Sequence, residues 1–291
     1  MNQGVFHIPV MVDEVIRYLI TKEDGIYIDG TIGGGGHSEE ILKRTKCKVI
    51  GFDIDPEAIK FAQERLKPFG ERVIILRRNY AQVKEALAEL GVSKVSGFLL
   101  DLGVSSFQLD YGGGFSFRFD EKLDMRMDRA SDLTAERILN EFSEEDIALI
   151  IRFFGEERRA KLIAREIVRY RQRKKIERTS ELVKLIDKVV PRKYRLKTLA
   201  RVFQALRIAV NKELDNLKVA LDSSVDILEK GGRIVVISYH SLEDRIVKSF
   251  FKSNEKIRNL TKKPVAPKEE EIRLNPRSRS AKLRAGEKIT E

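Results

Sequence analysis

Short apolar runs bounded by turn residues recur through the first hundred positions: I-Y-I-D (26–29), K-V-I-G-F-D (48–53), R-V-I-I-L (72–76) and G-F-L-L-D (97–101). Between them lie S-E-E-I-L-K-R, P-E-A-I-K-F-A-Q-E-R-L and A-Q-V-K-E-A-L-A-E-L, whose apolar residues repeat at helical spacing. Pro56 marks a helix start, because its missing N–H would be unpaired in a first turn anyway. Strand and helix alternating in this way predict βαβ units, hence a parallel sheet with helices on both faces. The alternation stops after Asp101. A loop, Y-G-G-G-F-S-F-R-F-D-E-K-L-D-M-R-M-D, leads into a helical, basic stretch over residues 132–205. The α/β pattern then resumes with the helix L-K-V-A-L-D-S-S-V-D-I-L-E-K, a left-handed cap expected at Gly231-Gly232, the strand R-I-V-V-I-S (233–238) and a helix from Ser241. A-K-L-R-A-G-E-K-I reads as a final edge strand, and K-K-P-V-A-P-K-E-E-E (262–271) as a mobile polar connector. The expected organisation is one α/β domain, residues 1–108 and 206–291, interrupted by an inserted loop and helical domain at 109–205.

Charge adds a partner to this picture. The chain has 291 residues and a net charge of +11. Arg152 to Arg207 holds 19 Lys/Arg against 6 Asp/Glu, so the rest of the chain sums to −2. Within that remainder, Lys252 to Glu291 carries 12 basic against 6 acidic residues. Localised positive charge is the footprint of a polyanion, nucleic acid above all. A solvated helical surface laced with i,i+4 pairs is the plainer alternative. No apolar run approaches the roughly 20 residues of a membrane span. The start, M-N-Q-G-V-F-H-I-P-V, lacks the charged and apolar regions of a secretion signal. One cysteine excludes an intrachain disulfide, and with three histidines it disfavours a Cys/His zinc site. A cytoplasmic protein without a metal is expected, as monomer or homodimer.

The first strand runs into D-G-T-I-G-G-G-G-H-S (29–38). Glycine costs folding entropy, so either this turn is very tight or a ligand lies against bare backbone. In parallel sheets ligands bind beyond the carboxyl ends of strands, where strand order reverses and a helix N-terminus offers free N–H groups. An acidic residue about 20 positions on grips ribose hydroxyls. Asp53 stands 20 after Gly33, while Asp55 suffices to cap the following helix. Ser38 replaces the third glycine of G-x-G-x-x-G, and no G-K-S/T follows, which excludes a P-loop. The acidic-then-glycine pattern is similar to the S-adenosylmethionine turn of class I methyltransferases, with a nicotinamide dehydrogenase as competitor. The third and fourth strand ends bring Asn79-Tyr80 and Asp101 to the same crevice. Tyr80 could stack on adenine or simply pack. Asp101, ending an apolar strand, needs a partner or a wet cleft, and a methionine ammonium would serve.

Eight motifs stand in order: H-I-P-V-M-V-D-E, D-G-T-I-G-G-G-G-H-S, D-L-G-V-S-S-F-Q-L-D, G-F-S-F, L-D-M-R-M-D, F-Q-A-L-R-I-A-V-N-K-E-L, S-Y-H-S-L-E-D-R-I-V-K and N-P-R-S-R-S-A-K-L-R. Together, from His7 to about Lys288, they closely resemble the bacterial ribosomal small-subunit RNA methyltransferase H family, also called MraW. The resemblance implies a class I S-adenosylmethionine-dependent methyltransferase fold, a Rossmann-like, mostly parallel sheet with an inserted all-helical domain. It implies S-adenosylmethionine as cofactor, 16S rRNA of the small ribosomal subunit as partner, and methylation of the exocyclic N4 of a decoding-centre cytidine. The family's cofactor site falls on Gly34, Gly35, Gly36 and His37, then Asp53, Tyr80, Asp101 and Gln108. Two departures are mild: Gly34 where relatives bear a larger residue, and Phe107 where proline is frequent.

The implied chemistry selects further candidates. Cytosine N4 is a poor nucleophile whose lone pair must be aimed at the sulfonium methyl while an acceptor draws on its N–H. Amino-directed DNA methyltransferases carry Asp/Asn/Ser-Pro-Pro-aromatic at the fourth strand end. Here D-L-G-V-S-S stands there, so the acceptor candidates are Asp101 and the segment Val104–Ser106 with Ser105 at its centre. Cys47 precedes the second strand, away from the reacting end, which disfavours attack at cytosine C5. His240 is a candidate to meet the target base or its phosphate, beside a capping box formed by Ser241 and Asp244. In F-S-F-R-F, Phe115, Phe117 and Phe119 alternate and should share one side, either stacking on an extruded base or packing the loop. Arg126 could pair with Asp124 or meet substrate. Gln204, Arg207 and Asn211 follow helical spacing on one polar face, solvated or RNA-facing, opposite a buried stripe of Leu199, Val202, Phe203, Leu206 and Val210. Asp244, Phe115, Phe117, Arg126, Gln204, Arg207 and Asn211 are thus the substrate-side candidates, and Lys174, Lys175, Arg192 and Lys193 the RNA platform.

Overall fold

Seven strands make one sheet: β1 Ile26–Asp29, β2 Lys48–Asp53, β3 Val73–Arg77, β4 Val95–Asp101, β5 Leu228–Ser238, β6 Ile257–Asn259 and β7 Lys282–Lys288. Among the described residues the helices are α1 Val12–Leu19, α2 Gly36–Arg44, α3 Pro56–Leu66, α4 Val83–Glu89, α5 Ala135–Glu141, α6 Glu144–Phe154, α7 Ala160–Arg171, α8 Thr179–Val189, α9 Arg195–Asn211, α10 Glu213–Ile227, α11 Ser241–Ser253 and α12 Glu269–Leu274. The structure, a computed structural model, describes residues 9–104 and 112–291. It divides into two units, Met1–Ser105 with Leu214–Glu291, and Ser106–Glu213.

In the first unit the sheet order is β3-β2-β1-β4-β5-β7-β6. β1 to β5 run parallel to one another, and β7 runs antiparallel to both β5 and β6. The order reverses between β1 and β4, so a crevice opens beyond their carboxyl ends. Strands buried on both faces read as continuous apolar runs, which is why β2 and β4 alternate so little. One face sends Ile28, Phe98, Leu100 and Val236 against Val83, Leu87, Leu217 and Leu221 of α4 and α10. The other sends Tyr27, Leu99, Val235 and Ile237 against Val15 and Leu19 of α1 and Ile41 and Leu42 of α2. Each such side chain stabilises the fold by roughly 1.5–3 kcal/mol. By the period of two, Asp29 and Asp101 continue the Tyr27 and Leu99 rows and end on the α2 side of the sheet.

The structure corrects several expectations. α10 stops at Ile227, and β5 begins at Leu228, paired with Val95, before Arg233 pairs with Gly97. Residues 229–232 therefore bulge out of the ladder, and Gly231, at φ +82°, serves the bulge rather than a helix cap. β7 is not an edge strand, because β6 pairs along its outer side. The connector expected to be mobile is anchored: Val265 and Leu283 exchange two 2.9 Å backbone hydrogen bonds, and α12 begins at Glu269.

The second unit is helical. Leu199, Val202, Phe203, Leu206 and Val210 of α9 are all buried, together with Ile147 and Ile151 of α6, Ile163 and Ile167 of α7, and Leu182 and Ile186 of α8. The apolar face of α9 belongs to this core, so the helix lies whole within the unit and a division at 205/206 would cut it.

Candidate active site

The glycine turn is built on a buried acid. Asp29, only 2% exposed, accepts the Ser38 hydroxyl on Oδ2 at 2.6 Å and the Thr31 N–H on Oδ1 at 3.2 Å. Burial pushes its carboxyl up, against the opposing pull of His37 and the Ser38 bond. Gly33 (φ +50°) and Gly35 (φ +78°) take the left-handed conformation that other residues rarely adopt. A Cβ on Gly35 would lie 3.2 Å from Leu66, and one on Gly36 would lie 3.1 Å from Pro9. Packing by protein therefore accounts for glycine at both positions. Gly34 is also buried. Gly33 differs: among the described residues a Cβ there would approach only the Thr31 carbonyl, at 3.8 Å, so its surroundings are open.

Asp53 closes the other side of that opening. Its Oδ2 accepts the Gly33 N–H at 3.0 Å and its Oδ1 the Asp55 N–H at 2.9 Å. Burial pushes its carboxyl up to about 6, while the two amides draw it down. Asp55 alone caps α3, accepting from Glu57 N–H at 2.9 Å ahead of Pro56, as expected.

Asp101 is held from three sides. Its N–H donates to Thr31 Oγ1 at 2.7 Å, and the Tyr239 hydroxyl donates to Oδ1 at 2.9 Å. Its Oδ2 lies 3.7 Å from His37 Nδ1. His37 Nε2 is 2.8 Å from the Val10 carbonyl, which can only accept, so Nε2 carries the hydrogen and Nδ1 faces Asp101. Burial, then the Asp101 charge, hold the Tyr239 hydroxyl well above its ordinary range. Tyr80 rests against the apolar core beside Gly30, where a Cβ would strike Leu100, Phe98 and Tyr80 itself. Packing explains part of Tyr80 without removing it from the crevice. Ser105 and Gln108 lie outside the described residues.

At the end of β5 the capping box sits one residue earlier than expected. His240 is the N-cap of α11, its Nδ1 accepting Glu243 N–H at 3.5 Å. Glu243 Oε2 reaches back to Tyr239 N–H at 2.9 Å and His240 N–H at 3.3 Å. His240 Nε2 is 3.1 Å from Glu243 Oε1 but not aligned for a hydrogen bond. Asp244, freed from capping, pairs with Arg284 Nε at 2.7 Å and with Lys282 at 3.7 Å. Cys47 is fully buried, and burial pushes its thiol up.

In the second unit the polar candidates work inward. Asn211 donates to the Met125 carbonyl at 2.8 Å and accepts Met127 N–H at 2.8 Å, fastening the loop before α5. Gln204 donates to the Phe154 carbonyl at 3.0 Å, and Arg207 forks onto Glu213 at 2.9 and 3.1 Å. The polar face, expected to be solvated or RNA-facing, is half-buried and internally bonded. Arg126 makes a two-pronged pair with Asp124 and donates to the Ser131 carbonyl at 2.7 Å. The three phenylalanines do not share a side, because the segment is a turn without strand period. Phe115 is buried, Phe117 meets Phe203 edge-on at 5.6 Å, and Phe119 is 47% exposed.

Sequence reasoning missed Ser38 and Tyr239, and did not assign Asp29 a role of its own. Asp29 carried the signal already used for Asp101, an acid closing an apolar strand. Tyr239 carried none, because its reach to Asp101 depends on the register of β5 against β4.

The model of the MraW methylase family matches residues 4–289. "Ribosomal RNA small subunit methyltransferase H" of Geotalea uraniireducens is 50% identical, over 97% of this chain and 98% of its own. The protein of the same name from Thermotoga neapolitana is 49% identical over 98% and 97%, and that of Carboxydothermus hydrogenoformans 46% over 98% of both. A solved rRNA methylase from Streptococcus thermophilus covers 96% of this chain and 94% of its own at 11% identity and a TM-score of 0.47, a distance at which it carries no argument. With the family model spanning nearly the whole chain and relatives near half identity end to end, this protein belongs to the MraW methylase family.

Proposed function

We propose that this chain transfers the methyl group of S-adenosylmethionine to the exocyclic N4 of a decoding-centre cytidine in 16S rRNA. One observation carries the cofactor half of this reading. Three neighbouring strands, β2, β1 and β4, each end in a carboxylate: Asp53 beside the opening at Gly33, Asp29 buried under the glycine turn, and Asp101 at the next strand end. A site so lined suits a ligand bearing a sulfonium and an ammonium, and repels the pyrophosphate of a dinucleotide. Asp53 would take the ribose hydroxyls, Asp101 the ammonium, Tyr80 the adenine edge, and the open side of Gly33 the ligand's approach to the backbone. Bound there, S-adenosylmethionine supplies an electrophilic methyl on a positively charged sulfur.

The protein must then aim the N4 lone pair and accept an N–H as charge develops. Asp101 and the segment Val104–Ser106 are the acceptor candidates. Cys47, buried beside Thr45 at the start of β2, supports a route without a covalent C5 adduct.

RNA is the partner that the charge of the second unit fits. Lys174 and Lys175 are neutralised by Glu181 at 2.7 Å and Glu136 at 3.2 Å. Arg192 and Lys193 are exposed, next to Tyr194, which is 40% exposed. Lys193 Nζ and Arg159 Cζ stand 4.9 and 4.7 Å from the Tyr194 ring centroid. An exposed aromatic flanked by cations suits a nucleic-acid strand, offering stacking and phosphate neutralisation together. Among the described residues no helix is long and apolar enough to cross a membrane.

Two measurements test the proposal. Calorimetry on the full chain should show S-adenosylmethionine binding and no nicotinamide binding. Mass-spectrometric mapping of small-subunit RNA from a deletion strain should show one N4-methylcytidine lost and restored on complementation. Survival of every modified cytidine would sink the substrate assignment.

A further inference from the structure

We propose that Tyr239 is a positioning residue for Asp101, holding that carboxylate in the orientation and charge state in which it receives the cofactor's cationic amino group. The proposal rests on the methyltransferase reading and adds to it a residue that follows a different strand, one position beyond the end of β5. Its ground is register. Asp101 pairs with Ile237 across β4 and β5, and paired residues of parallel strands point to one face. Tyr239 lies two residues beyond Ile237 and so returns to the same face, past the end of β4, where its hydroxyl meets Asp101 Oδ1 at 2.9 Å.

The groups around this contact make the tyrosine a constant donor. Among the groups that face Asp101 are Tyr239 just past β5, His37 from α2 and Thr31 from the glycine turn. Asp29 lies beyond His37. Tyr239 itself is faced by Asp101, by Glu243 of α11 and by Glu271 of α12, all acidic. A phenol among carboxylates keeps its proton across the working pH range. The backbone of Tyr239 is fixed as well, since its N–H donates to Glu243 Oε2 at 2.9 Å. Gly103 lets the chain pass closely, as a Cβ there would stand 3.5 Å from the tyrosine ring. A hydroxyl held this way favours the ionised carboxylate and restrains its rotation.

The test uses the full-length protein and Tyr239→Phe, which keeps the ring and removes only the donor. In cofactor-free protein, carboxyl-carbon NMR should show Asp101 titrating at higher pH in the variant. S-adenosylmethionine affinity by calorimetry at neutral pH should fall about tenfold, the scale of one charge-assisted hydrogen bond. The acid limb of the affinity profile should move to higher pH. On an Asp101→Asn background the same substitution should change affinity little, because its effect passes through the carboxylate. Wild-type-like affinity and titration in Tyr239→Phe would overturn the proposal, as would an undiminished loss on the Asp101→Asn background. Failure of the wild-type protein to bind S-adenosylmethionine would instead remove the methyltransferase reading itself.

Discussion

Gly33 and Gly35 share one turn and one sign of φ, yet the structure gives them different duties. A methyl on Gly35 would press on Leu66 and the α3 backbone, so Gly35→Ala should lower stability by on the order of 2 kcal/mol, from strain plus overpacking. A methyl on Gly33 meets open space, so Gly33→Ala should cost about 1 kcal/mol of stability while abolishing cofactor binding. Thermal melts with calorimetry on both variants check this, and equal loss of binding at equal stability would refute the division. Asp53 supplies a pH signature. Its folded value of about 6 lies above the ordinary 3.8, so across that window the native protein keeps a proton the unfolded chain has released. Stability therefore falls as pH rises through it. Ribose hydroxyls would donate to the ionised form, so cofactor affinity should weaken as pH drops through about 6, approaching tenfold per unit below it. Asp53→Asn should flatten that dependence, and an unaltered profile in the variant would assign the titration to another group. The glycine run was legible as a special turn because four glycines have few other uses. Which of them packs and which stays open was not, because that depends on where α3 and the Pro9 segment pass.

Among the elements, β1 to β4 and the helices between them follow the apolar periodicity closely, because β1, β2 and β4 are buried on both faces and tolerate little else, while β3 closes the edge of the sheet. The misreadings fall where local chemistry offers two solutions. Gly231 could cap a helix or relax a bulge. Pairing of Leu228 with Val95 extends the sheet, and the bulge absorbs the mismatch before Arg233. S-Y-H-S-L-E-D-R could start its helix at either of two adjacent positions. Glu243, 2% exposed, satisfies two backbone N–H groups from one turn in, while Asp244 has Arg284 as partner on β7. Histidine is an uncommon N-cap, so the box was invisible to residue preference. This leaves His240 with two candidate roles that one pair of variants separates. His240→Ala should cost about 1 kcal/mol through the lost cap, and His240→Asn, a strong capping residue, should restore it. If His240 also meets the target base, His240→Asn stays stable but loses kcat with RNA while S-adenosylmethionine affinity is unchanged. Full activity in His240→Asn would confine the residue to capping.

For the whole molecule, the basic block was the plainest feature of the sequence and the least specific, since charge count does not say which cations are spent internally. Counting lysines treats Lys174 and Lys193 alike. Contacts separate them, because Lys174 already holds Glu181 and Lys188 holds Glu166, whereas Lys193 sits at the exposed Tyr194 ring. A cation already paired with a carboxylate displaces few of the counterions condensed on a phosphate backbone, and an exposed one without such a partner displaces the most. Neutralising Arg192 and Lys193 together with alanine should therefore weaken RNA binding and lower the slope of log affinity against log salt by about 0.7–0.9 per lost phosphate contact. The matching change at Lys174 and Lys175 should lower it much less. S-adenosylmethionine affinity should hold in both, since the carboxylates proposed to receive it belong to the first unit. Binding measured across a salt series with a small-subunit RNA fragment decides the matter: identical slopes for the two double variants would mean that internal pairing does not select the RNA surface, and unchanged slopes in both would move the RNA contact off this unit altogether.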